Sequence, residues 1–220
     1  MNAAAASDPA QRRRAAALAG HHGDPATAEA ARTDPDPKVR IAALRSLARL
    51  GVISEHQLER ALEDADPAVR IAALEIAADR SSPGLERLLD DQDPMVVESA
   101  AWALGERQTP SDAIIDRLSR VARDHSDPLA RESAVAALGA IGDERGLRAI
   151  LDATHDKVAV RRRAIIALAA FEGVEVDDAY ERARRDRDRQ VRDAVDELLG
   201  PVVSDPQAGG PGRVEVRWDC

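Results

Sequence analysis

The fold class predicted by the sequence is all-α: a right-handed α-solenoid of about six helical hairpins. Three observations predict it. First, 44% of the 220 residues are hydrophobic but only 2% are aromatic. The apolar content is mostly Ala, Leu, Val and Ile, and Ala and Leu favour helix, whereas the aromatic richness of a sheet protein is missing. Second, a nine-residue phrase appears twice, as DPKVRIAAL (36–44) and DPAVRIAAL (66–74). Third, looser copies of that phrase continue along the chain at a period of 27–34 residues, with Arg40, Arg70, Val97, Arg131, Arg161 and Arg192 in register. A period of this length marks stacked supersecondary units.

Taken in order, the copies read DPKVRIAALRSLARLG (36–51), DPAVRIAALEIAADR (66–80), DPMVVESAAWALGER (93–107), DPLARESAVAALGAIG (127–142), DKVAVRRRAIIALAAF (156–171) and DRQVRDAVDELLG (188–200). A degenerate copy, SDPAQRRRAAALAG (7–20), precedes them and reads as an N-terminal capping helix. Each copy starts a helix. Asp accepts a backbone N–H as N-cap, and Pro occupies the first helical position, where a missing donor costs nothing. Counted from the aligned Arg, positions −1, +3, +4 and +7 are apolar, as in Val39, Ala43, Leu44 and Leu47 or Ala130, Ala134, Val135 and Leu138. That spacing is one helical stripe. Gly51, Gly105, Gly139, Gly142 and Gly200 fall at or past the helix ends, where left-handed caps favour Gly.

Shorter amphipathic segments lie between these helices: TAEAAR, SEHQLERALED, GLERLLDDQ, SDAIIDRLSRVARD, ERGLRAILDAT and DDAYERARRD. Each repeat is thus a hairpin that buries its stripe only by stacking on its neighbours. The solenoid is expected over 7–200, between a disordered 1–6 and a flexible tail, 201–220, whose Pro- and Gly-rich start ends in the strand-like alternation Val214, Val216, Trp218.

Charge narrows the function. The net charge of −9 repels nucleic acid and anionic membrane. Cys220 is the only cysteine, so no intramolecular disulfide forms. No apolar stretch approaches a membrane span, and the AAALAG after QRRR is too short for a signal peptide. A cytoplasmic monomer is expected. Neither a metal site nor a catalytic constellation is expected; HHGD (21–24) reads as a surface loop, and His125 and His155 read as turn residues.

The phrase D-P-x-V-R-x-A-A-x-x-A-L-G resembles the HEAT repeat in its short bacterial form, the type found in phycobilin lyases, over roughly residues 7–200. The resemblance implies that the second helix of each hairpin lines a concave face. It also implies an inter-repeat polar ladder from the motif Asp and Arg, here Asp36, Asp66, Asp127 and Asp188 with Arg40, Arg70, Arg131, Arg161 and Arg192, interrupted at Val97. The His-Glu pairs that hold iron in deoxyhypusine hydroxylase have no match: the corresponding pairs are Glu98–Ser99, Glu132–Ser133 and Arg162–Arg163. No cofactor is implied.

If second helices line the groove, positions +1, +2 and +5 face a partner. The candidate partner-binding residues are Ile41, Arg45, Ile71, Glu75, Glu98, Trp102, Glu132, Arg162 and Arg163. They form a ridge that runs from apolar, through acidic with one Trp, to basic. The function expected is a non-enzymatic scaffold that binds a protein or peptide on this face. The alternatives are a phycobilin or tetrapyrrole lyase-like or cofactor-handling role, and nucleic-acid binding through the Arg-rich fifth and sixth repeats.

Overall fold

The computed structural model describes residues 8–78, 80, 84–107 and 110–200. The expected disordered N-terminus (1–6) and the tail (201–220), with Trp218 and Cys220, lie outside the described residues.

An isolated helix, α1 (Pro9–His22), is followed by six hairpins. Their helices are α2 (Pro25–Ala31) and α3 (Pro37–Arg49), then α4 (Glu55–Leu62) and α5 (Pro67–Ala77), then a 3-10 helix (Leu85–Asp90) and α6 (Pro94–Gly105). The next are α7 (Asp112–Asp124) and α8 (Pro128–Ile141), then α9 (Glu144–Ala153) and α10 (Val158–Ala167), and finally α11 (Val174–Ala183) and α12 (Arg189–Leu199). Every described element is helical, as expected. One segment differs in type: GLERLLDDQ forms six residues of 3-10 helix. It enters through Gly84 in the left-handed region, and its i to i+3 hydrogen bonds are the kind used in such short pieces.

The second helices start where the phrase does. Asp36, Asp66, Asp93, Asp127 and Asp188 each accept a hydrogen bond from the backbone N–H two residues on, at 2.8–2.9 Å. Each such cap stabilises its helix by about 1 kcal/mol. Successive second helices pack directly on one another, α1 on α3, α3 on α5, and onward through α6, α8, α10 and α12. The predicted stripe is the seam. Val39, Ala43, Leu44 and Leu47, and Ala130, Ala134, Val135 and Leu138, are all buried, and all but Val39 and Ala43 belong to one continuous core cluster. Deleting such a leucine typically costs about 2–5 kcal/mol.

Two of the glycines expected as caps do something else. Gly105 and Gly139 lie within helices, and a Cβ at Gly139 would stand 2.6 Å from Ala167 Cβ and 2.8 Å from its Cα. They let neighbouring second helices approach closely. Gly142, by contrast, has φ of 67° and caps α8 as expected.

Candidate binding face and its inter-repeat ladder

The ladder exists, and its geometry corrects the expected partners. Arg40, Arg70 and Arg161 each grip the carboxylate two residues before the next repeat's motif Asp, and Arg131 grips Asp156, the Asp that opens the fifth copy. Arg40 donates from Nε and Nη2 to Asp64 at 2.8 and 2.6 Å. Arg70 does so to Asp91 at 2.9 and 2.8 Å, Arg131 to Asp156 at 2.6 and 2.7 Å, and Arg161 to Asp186 at 2.9 and 2.8 Å. The degenerate copy joins in, with Arg12 on Asp34 at 2.7 and 3.0 Å. Asp36, Asp66, Asp127 and Asp188 are helix caps, because a carboxylate at that position points at the first free N–H groups of its own helix.

Each rung ties three things together. The remaining guanidinium nitrogen, Nη1, donates to a backbone carbonyl at the start of its own repeat: Arg40 to Asp34, Arg70 to Asp64, Arg161 to Asp156 and Arg192 to Asp186, at 2.7–2.8 Å. Asp34, Asp64, Asp91 and Asp186 also accept the N–H of the motif Asp two residues on, at 2.8–2.9 Å, and Asp156 accepts that of Lys157 at 2.6 Å. Hydrogen bonds from Arg12, Arg131 and Arg161 hold the carboxyls of Asp34, Asp156 and Asp186 below the usual range, against a smaller opposing effect of burial.

Between the third and fourth repeats both partners are replaced. Val97 is fully buried where the Arg belongs, and His125 stands where the carboxylate belongs. His125 keeps the local part of the role: its Nδ1 accepts the Asp127 N–H at 3.1 Å, and its carbonyl accepts from Arg131 at 2.7 Å. Only the rung across repeats is absent, and Val97 joins the hydrophobic core instead.

On the outward side of the second helices, Trp102 is 49% exposed, as its polar and small equivalents suggested. Met95, one heptad earlier on the same face of α6, is 50% exposed, and Leu129, at Met95's equivalent position on the adjacent α8, is 43% exposed. Sequence reading missed Met95 and Leu129 because it stopped at positions +1, +2 and +5; position −2 lies seven residues before +5 and shares its face.

The charged ridge residues are partly paired across repeats. Arg45 reaches Glu75 at 2.9 Å and Arg163 reaches Glu132 at 3.5 Å, while Arg162 is exposed. Ile41 and Ile71 are half-buried against the core rather than open. Oε2 of Glu98 is buried without a hydrogen-bond partner, and burial, reinforced by Glu132 and then Asp127, pushes its carboxyl pKa up. The Arg-rich stretch 182–192 is paired with acids that flank it: Arg185 with Glu181, Arg189 with Asp193 and Arg184 with Asp196.

The N-terminal end of the ridge carries more than its expected apolar residues. Between α1 and α3 lies an open groove of about 740 Å³ lined by Arg13, Arg14, Lys38, Arg45 and Arg49, with Ala17, Ile41 and Ala42 among its apolar walls. This end of the face joins the expected apolar residues to a set of basic ones. Applying the same register to the degenerate copy would have placed Arg13 and Arg14 there.

Comparison with known families decides the classification. The family model for HEAT repeats matches residues 25–84, 54–115 and 83–169. The chain belongs to the HEAT-repeat family. No curated protein matches it. Among solved structures, this HEAT-repeat chain is similar to a designed armadillo repeat protein in complex with the peptide (KR)4, at 17% identity and a TM-score of 0.51, covering 88% of this chain and 98% of that one. It also matches an engineered protein at 19% identity, TM-score 0.41, with 86% of each chain covered. The likeness to the designed armadillo protein concerns the fold. Among the described residues, no helix is long and apolar enough to cross a membrane.

Proposed function

We propose that the protein is a non-enzymatic interaction scaffold that holds a protein or peptide on the outward face of its second helices. The observation that carries this reading is the exposed apolar group Met95, Trp102 and Leu129 on adjacent helices in the middle of that face. Water-exposed apolar side chains clustered on a rigid support gain most when a partner covers them, and Trp is a frequent interface anchor. A repeat row of comparable fold holds a peptide in the designed armadillo protein.

The test is capture of partners from host lysate by tagged wild type and by a Met95→Ala/Trp102→Ala variant. A protein retained by wild type and lost by the variant supports the reading. A partner kept equally by both contradicts it. Arg163 is left intact because reversing its charge would also set two acids against each other at Glu132.

A further inference from the structure

The groove between α1 and α3 is a distinct feature of this face. Its walls carry Arg13 and Arg14 from one helix and Lys38, Arg45 and Arg49 from the other, and no acidic residue lines it. Arg45 is engaged by Glu75 at 2.9 Å. Among the described residues, Arg13, Arg14, Lys38 and Arg49 have no acidic partner, in a protein whose net charge is −9. Four uncompensated cations gathered in one cleft of an acidic molecule raise the local concentration of anions there.

The shape selects among anions. On α1 the lining recurs at Ala10, Arg13, Arg14, Ala17 and His21, and on α3 at Lys38, Ile41, Ala42, Arg45 and Arg49. Both are single helical stripes about three turns, or roughly 16 Å, long. The floor is aliphatic, and the cations stand on its rims. A polyanion such as nucleic acid would run past the groove onto the Glu75, Glu98 and Glu132 side of the face, and this floor offers no aromatic platform on which bases could stack. A short segment with apolar residues on one side and carboxylates flanking them matches both floor and rims.

We infer that the α1–α3 groove is a docking site for a short acidic amphipathic peptide segment, the apolar side chains lying on Ala17, Ile41 and Ala42 and the carboxylates meeting Arg13, Arg14, Lys38 and Arg49. This rests on the reading of the second-helix row as a peptide-binding face, but it uses residues separate from Met95, Trp102 and Leu129.

The probe is a fluorescein-labelled peptide of about twelve residues, with Leu in helical i, i+3, i+4 spacing and Glu elsewhere, followed by anisotropy. Controls are the same peptide with Lys for Glu, and a single-stranded oligo-dT. The wild-type chain should bind the Glu peptide at least about tenfold more tightly than the Lys peptide, with affinity falling as salt rises. Arg13→Glu/Arg14→Glu/Arg49→Glu should abolish that preference, and the milder Arg13→Gln/Arg14→Gln should reduce it, each with an unchanged helical CD spectrum. Trp102→Ala should leave it intact, so loss at Trp102 alone concerns the general face and not this groove. Equal binding of the two peptides, or oligo-dT binding more tightly and displacing the Glu peptide, would overturn the assignment.

Discussion

At Gly139 the hydrogen atom is structural. An added methyl group would meet the backbone of α10, which cannot swing aside as a flexible side-chain end could. Gly139→Ala should therefore destabilise the chain by about 1–3 kcal/mol, the usual cost of overpacking, read as a lower urea midpoint at unchanged slope. Glu98 makes the opposite prediction. Its folded pKa is raised by burial and by Glu132, so the folded state holds its proton more firmly than the unfolded state does. Stability then falls as pH rises through the Glu98 titration. Glu98→Gln should raise the melting temperature at neutral pH, and the gain should vanish in acid where Glu98 is itself neutral. A gain that persists unchanged in acid would point to a packing cause. The caps and the buried stripe were legible because they depend on local spacing alone. The glycine roles were not, since left-handed capping and close helix approach both select Gly and only the neighbouring helix distinguishes them.

The element scale is where the ladder operates. A bidentate rung ties the start of one second helix to the turn before the next, so its loss loosens two hairpins at once. Hydrogen bonds to charged groups contribute about 1.5–3 kcal/mol each before screening, and these rungs are half-buried. Arg131→Ala should lower stability by about 1–3 kcal/mol, mostly through the Asp156 carboxylate left without its partner. The missing rung supplies a sharper check. Val97→Arg alone places a charge opposite His125, and His125→Asp alone places a carboxylate opposite Val97. Each should destabilise, and the double variant should recover about 0.5–3 kcal/mol beyond additivity. Additive behaviour would mean that the third joint does not have the geometry of the others. Sequence spacing exposed the gap at Val97 but not its partner at His125. The rung's acid lies outside the conspicuous DP phrase, two residues upstream, and the DP Asp is the more obvious candidate.

Across the whole molecule, the rungs make stability depend on pH in a stated direction. Asp34, Asp156 and Asp186 have folded pKa values below their unfolded ones, near about 3.9. Their contribution is fully present above that value and is lost as pH falls through the depressed folded values. Equilibrium unfolding followed by CD should show a steep loss below about pH 4 that weakens when Asp156 is replaced by Asn. The solenoid itself was readable from the sequence because periodicity survives substitution. The basic groove at its start was not, since the degenerate first copy hid the register that puts Arg13 and Arg14 beside Arg49.

The account centres on the outward face of the second helices, and one measurement addresses it most directly. A photo-crosslinking benzoylphenylalanine replaces Trp102 in one version of the tagged protein and Val174, an exposed first-helix residue that is 76% exposed, in another. Both are irradiated in host lysate. The account predicts a discrete crosslinked product from position 102 that is absent from position 174. A product from position 174 with none from 102 would place the partner on the other row of helices and contradict it.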